Sequence, residues 1–261
     1  MNMKKDSRFT QKMVQTGLFI ALALIIRSFS YMIYIGGAPG MRITFSGIFL
    51  KLVAILFGPL FGGISSGILD ILGFIIKPEG AYIPWLTATA ILGGVIVGIL
   101  WIIFRHINIK SLQWGFFLFF IVIGLVGVIN HVSILFIKDS SYSNFLNSIG
   151  KNRDFATIGL EVIAILGLIL LFIDYIIQKK NSNVHIHENF LKILIVTGIS
   201  GLIVTTLNTY VLQIFIPALA KKGFLIFWIP RIIQEILMTT IQAYIIAFLY
   251  SIYKKLYANK Y

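Results

Sequence analysis

The chain has 261 residues, of which 58% are hydrophobic and only 12% charged, with a net charge of +13 and a mean hydropathy of +0.94. So little polar surface cannot cover a water-soluble globule of this size, which excludes soluble classes and leaves an integral membrane protein. The absence of cysteine excludes disulfides, thiolate metal sites and a cysteine nucleophile.

Apolar windows and their interruptions predict an all-α, polytopic transmembrane helix bundle in one membrane domain spanning residues 1–261, with about eight spans. A strict alternation of period two, as in a β-barrel, is missing. The first span, 13–35, follows a basic N-terminus and carries Arg27, and without a small-residue cleavage site it reads as a retained helix. Spans two and three, 44–57 and 60–77, are short and separated by Gly58-Pro59, a turn or a break lining a cavity. Asp70 lies deep in the third, and pairing with Arg27 is the simplest way to keep both charges in a bilayer. Spans at 85–104, 114–138 and 155–178 follow, then 190–219 and 229–253. Asp174 and Glu161 fall near the two ends of the sixth span and read as solvated.

Lys4, Lys5, Arg8 and Lys12 before the first span, and Lys254, Lys255 and Lys260 after the last, place both termini in the cytoplasm and make the span count even. Arg105, Lys110, Lys179, Lys180 and Lys192 then fall in inner loops. Trp101 and Trp114 bracket the first of these, where indole rings sit at headgroups. On the outer side Arg42, Lys51, Lys77, Lys138, Lys151, Arg153, Lys221, Lys222 and Arg231 outnumber Glu79, Asp139 and Asp154, a balance that attracts anions unless these are merely tolerated loop lysines. The cations are scattered through short loops, which argues against nucleic acid as a partner.

Gly63-Ile-Ser65-Ser-Gly67 matches a nucleophile pattern, but inside an apolar helix it reads as packing. None of His106, His131, His185 or His187 has an evident acid partner, no metal-ligand cluster is apparent, and no phosphate-binding Gly-Lys-Ser/Thr loop occurs. The chain is therefore read as a non-enzyme without a cofactor or metal, and any ATP-driven cycle needs other subunits. Gly17-x-x-x-Ala21 with Ala23, Gly63-x-x-x-Gly67 and Gly94-x-x-x-Gly98 are small-residue strips, each open to internal packing or to a partner helix.

RITF at 42–45, FGPLFGG at 57–63, DILGF at 70–74, KPEGAYIP at 77–84, LNTY at 207–210 and Arg231 at the last helix occur in an order that resembles the folate-family S components of energy-coupling factor (ECF) vitamin importers. The resemblance covers 1–105 and 190–257, a six-helix core, and leaves 114–178 as an inserted helix pair that preserves the alternation of sides. It implies a membrane-embedded subunit that captures a vitamin outside and works with a T subunit and two cytoplasmic ATPase subunits. It also implies that the first-helix strip, Gly17 and Ala21 with Ala23, docks the T subunit, although Gly stands where the family usually has Ala. The expected pocket gathers Arg42, Asn208 and Arg231 with the rings of Tyr82, Trp85, Tyr210 and Trp228 at the outer half of the bundle. Two guanidiniums suit carboxylates and flat rings suit a heterocycle such as a pterin. Plainer readings stay open: Arg231 neutralised by Glu235, Arg42 snorkelling, Asn208 bonding a neighbouring helix, Trp85 and Trp228 anchoring the interface. An autonomous secondary transporter or flippase for an anionic solute, with Asp70 as coupling group, is the alternative.

Overall fold

The computed structural model describes residues 2–35, 38–78, 80–107, 109–137, 140–148, 153–180, 186–220 and 223–258. Lys138, Lys151, Lys221, Lys222, Lys260, Glu79, Asp139 and His185 lie outside them. Two compact units result, Met1–His106 and Ile107–Tyr261.

Unit 1 begins with α1, Asn2–Ser28, which ends seven residues before the expected limit of the first span at 35. The run Tyr31–Ile35 instead forms β1, antiparallel to β2, Ala38–Ile43, with an irregularity between Ile33 and Tyr34. Aromatic and β-branched residues prefer this extended form, and Pro39 is tolerated because a two-stranded ribbon leaves edges unpaired. The otherwise all-α expectation therefore gains one small hairpin. Next comes α2, Gly47–Phe57, whose 11 residues rise only ~16 Å, about half of a hydrocarbon core. Seven described helices, not eight, are long and apolar enough to cross a membrane.

Gly58 at φ 96° reverses the chain, and Pro59, whose missing N–H costs nothing in a first turn, opens α3, Pro59–Ile76. The Gly58-Pro59 pair is thus a turn between two helices. Pro84 opens α4, Pro84–Phe104, in the same way. Two of the three small-residue strips are spent between α3 and α4. A Cβ on Gly94 would overlap the Gly62 carbonyl, one on Gly63 would press Val95 Cγ2 at 2.7 Å, and one on Gly98 would strike Pro59. Ser65 is fully buried there and bonds the Gly62 carbonyl at 3.1 Å, as its packing role requires. Gly17 on α1 meets nothing within 4 Å. Ala21 beside it is exposed, whereas Ala23 is fully buried and packs inside the unit. Trp101, expected at the headgroups, is buried as well.

Unit 2 holds α5, Ile109–Phe136; α6, Ser141–Ser148; α7, Leu160–Lys180; α8, Ile186–Phe215; α9, Pro217–Ala220; and α10, Phe224–Ala258. α5 and α7 pack through glycines: the ring of fully buried Phe120 lies where a Gly167 side chain would be, and Gly124 admits Ala164. A π-helical turn at Phe155–Gly159 precedes α7, and its Ala156 carbonyl accepts a 2.7 Å bond from Asn130 Nδ2. Asn130 Oδ1 in turn accepts the Tyr142 hydroxyl. α8 and α10 form the other close pair, with Gly201, Thr205 and Thr209 buried on α8 at helical spacing. Lys192, expected in a cytoplasmic loop, lies buried inside α8 because that helix starts at Ile186 and not at 190.

Candidate functional site

In unit 1 the expected ion pair forms. Arg27 Nη1 stands 3.4 Å from Asp70 Oδ1 and donates to the Leu69 carbonyl at 3.1 Å. Gly73 makes this possible, since a Cβ there would overlap the guanidinium. Thr87 completes the carboxylate by donating to Asp70 Oδ2 at 2.7 Å, and the Tyr82 hydroxyl shares a 2.8 Å bond with Thr87. The Tyr82 ring lies on Phe74, centroids 5.1 Å apart. Tyr82 is therefore a fixed ring at the end of a charge network, a connection that runs through Thr87, which sequence reasoning did not single out. Lys77 Nζ donates to the Ser30 carbonyl at 2.8 Å, tying the 77–84 loop to the start of the hairpin that carries Arg42. Trp85 opens α4 with 61% of its surface exposed.

Asn208, Tyr210 and Arg231 belong to unit 2. Trp228 Nε1 donates to Thr206 Oγ1 at 3.0 Å and Thr205 Oγ1 to Glu235 Oε2 at 3.4 Å, which fixes α8 against α10 and puts Asn208 and Arg231 at the same end of that pair. The Arg231 guanidinium lies over the buried ring of Phe227, 5.0 Å from its centroid. Trp228 is stacked on Phe224 at 6.0 Å and 23°. Tyr210 is exposed. Each group is thus placed within its own unit.

One expectation about an ionisable group is corrected and another is extended. Glu161, expected to be solvated, has its Oε1 3.1 Å from His131 Nδ1 across the α5–α7 contact, in room left by Gly127. The pair spans 30 residues of sequence, which hid it from a reading of local spacing. Glu235, beyond being a neighbour of Arg231, accepts from Thr239 Oγ1 at 3.1 Å as well as from Thr205. It also lines a cavity of about 280 Å³ walled by Phe116, Phe119 and Phe120 of α5 and by α8. A glycine and threonine stripe on α8, one position every three or four residues from Gly198 to Thr209, was the available sequence signal.

Seven long apolar helices, charges paired inside them and a broad apolar exterior define a multi-pass membrane protein. Residues 11–146, just over half of the chain, match the family described as ECF transporter, substrate-specific component. The chain belongs to that family, whose members are substrate-binding components of transporters. A 61-residue stretch is 43% identical to "Folate transporter FolT" of Clostridium novyi (strain NT), covering 23% of this chain and 36% of that protein. The chain thus aligns with about a third of the length of that curated relative. No solved structure matches.

Proposed function

We propose that the chain captures a folate or a related heterocyclic, anionic vitamin from outside the cell, and releases it inward within an importer completed by a T subunit and two cytoplasmic ATPases. Both termini lie in the cytoplasm in this reading, as the basic flanks imply, and the even number of passes this needs requires the short α2 to return the chain between the two faces alongside the seven longer helices. The exposed Gly17 and Ala21 face of α1 is the surface offered to the T subunit, in contrast to the two glycine strips consumed inside unit 1. The single observation that carries the ligand class is the α8–α10 end, where a guanidinium rests on one aromatic ring, Phe227, and a second pair, Phe224 and Trp228, is held by a hydrogen bond. A fixed cation among flat rings is complementary to a flat molecule with a carboxylate, and folate has both parts. The curated relative named for folate supports the same class.

Asp70 as a coupling group for autonomous transport finds less support, because Arg27 and Thr87 already occupy its oxygens. Uptake of labelled folate into cells carrying the chain with and without the ATPase subunits tests the proposal. Uptake is expected only with them, and to survive collapse of the proton gradient. Uptake by the chain alone, abolished by that collapse, contradicts it.

A further inference from the structure

Segment 114–178 lies outside the six-helix core that the family resemblance covers, and capture of a vitamin by α8 and α10 alone would leave it without a task. Its packing supplies one. Pro230 sits inside α10, one residue before Arg231, and its missing N–H deprives the Ile226 carbonyl of the bond a regular helix makes four residues on. α10 is therefore weakest where it carries the guanidinium and needs holding from outside. At about 100° per residue, Phe224, Phe227, Trp228 and Glu235 share the Arg231 face of the helix, while Ile233 lies about 200° round, on the opposite side. The Arg231 face meets α8, through Trp228 to Thr206 and Thr205 to Glu235. The opposite side rests on the π-helical turn Phe155–Gly159: Ile233 is buried, and its Cγ2 lies 3.4 Å from where a Cβ on Gly159 would be.

That turn is itself fixed from α5 and α6. A π-turn shifts the hydrogen-bond register of its helix, and a carbonyl displaced from that register must find a partner elsewhere. The Ala156 carbonyl takes Asn130 Nδ2 at 2.7 Å, and Asn130 Oδ1 takes the Tyr142 hydroxyl, so both ends of one buried amide are used. Ala156, Thr157 and Leu160 are buried around it. We infer that the π-turn is the back support of the ligand-binding face of α10, and that Asn130 is a positioning residue which acts on the ligand through the Ala156 carbonyl, the Gly159–Ile233 contact and then Arg231. A guanidinium grips a carboxylate through a planar fork whose two bonds depend on its orientation, so a small roll of α10 is felt by the ligand although Asn130 stands behind the helix. Gly159 belongs to the same device, because a side chain there presses on Ile233 and drives α10 forward.

The inference rests on the folate-like reading proposed above, with Arg231 at the carboxylate, and the test separates the two. Folate binding to the purified full chain is followed by tryptophan quenching in wild type, Asn130→Leu, Gly159→Val and Arg231→Ala, and in the first two variants combined with Arg231→Ala. The thermal transition reports the folding of each; Gly159→Val removes no side-chain hydrogen bond and carries the test should Asn130→Leu not fold. Each of these two changes is expected to weaken folate at least threefold by itself, and to alter affinity less than twofold once Arg231 has been replaced. A pterin without the tail, which has no carboxylate, is expected to bind wild type and both variants alike. Equal losses with and without Arg231, or equal losses for folate and the pterin, mark a general loosening of the fold and overturn the inference. So do losses below threefold in folded variants, or unchanged affinity in Arg231→Ala. In each of these cases folate bound by wild type leaves the folate reading standing. Wild type that binds no folate overturns both.

Discussion

Asp70 and Glu235 are both carboxylates within membrane-crossing helices, and the cation beside each comes from a different place: another helix for Asp70, the same helix for Glu235. Asp70 meets a guanidinium and a hydroxyl, with the guanidinium seated over a glycine so that protein closes around the pair. Glu235 meets two threonine hydroxyls and the charge of Arg231, one turn away on the same helix. A charge in a bilayer must be answered by protein, water or ligand, and what answers it separates structural charges from those available for binding. On that criterion unit 1 uses its buried charge to hold α1 against α3, and unit 2 uses Glu235 to hold α8 against α10.

The contrast is most easily broken at the closed pair. Arg27→Ala leaves Asp70 buried without its cation, and is expected to cost about 3 kcal/mol or more in thermal unfolding in detergent, with Arg27→Met/Asp70→Leu recovering most of it. A small loss would mean that water already serves Asp70. Arg231→Ala is expected to spare folding and weaken folate binding by about 1.5–3 kcal/mol, the range for a hydrogen bond to a charged group; unchanged affinity removes Arg231 from the site. Gly94→Ala, which forces α3 and α4 apart at the Gly62 carbonyl, is expected to lower stability by about 1–3 kcal/mol. Ala21→Trp on the open face of α1 should leave stability and ligand binding intact and abolish uptake. The smallest effect belongs to His131→Ala: its link to Glu161 is part-exposed, and about 0.5 kcal/mol in unfolding is expected.

Much of this was legible in the sequence. Composition and apolar runs fix a polytopic helical protein, and the rarity of intramembrane charge is enough to pair Arg27 with Asp70 over 43 residues. Gly58-Pro59 announces a turn through local chemistry alone. Partnerships set by tertiary packing were not legible. Hydropathy treats Tyr31–Ile35 as a helix end because it records apolarity and not backbone preference, and it cannot tell that an 11-residue segment is too short once Ser46 and Phe57 bound it. Glu161 finds His131, and Glu235 finds Thr205, across helix contacts that no local spacing encodes. The glycines on α8 and α5 did mark where side chains from a facing helix would be admitted, without saying which.

Titration of the purified chain with folate, in the absence of any T or ATPase subunit and of ATP, tests the central claim most directly. Saturable quenching with one folate bound per chain is the predicted result. No saturable binding, with the protein folded by its thermal transition, would contradict the account.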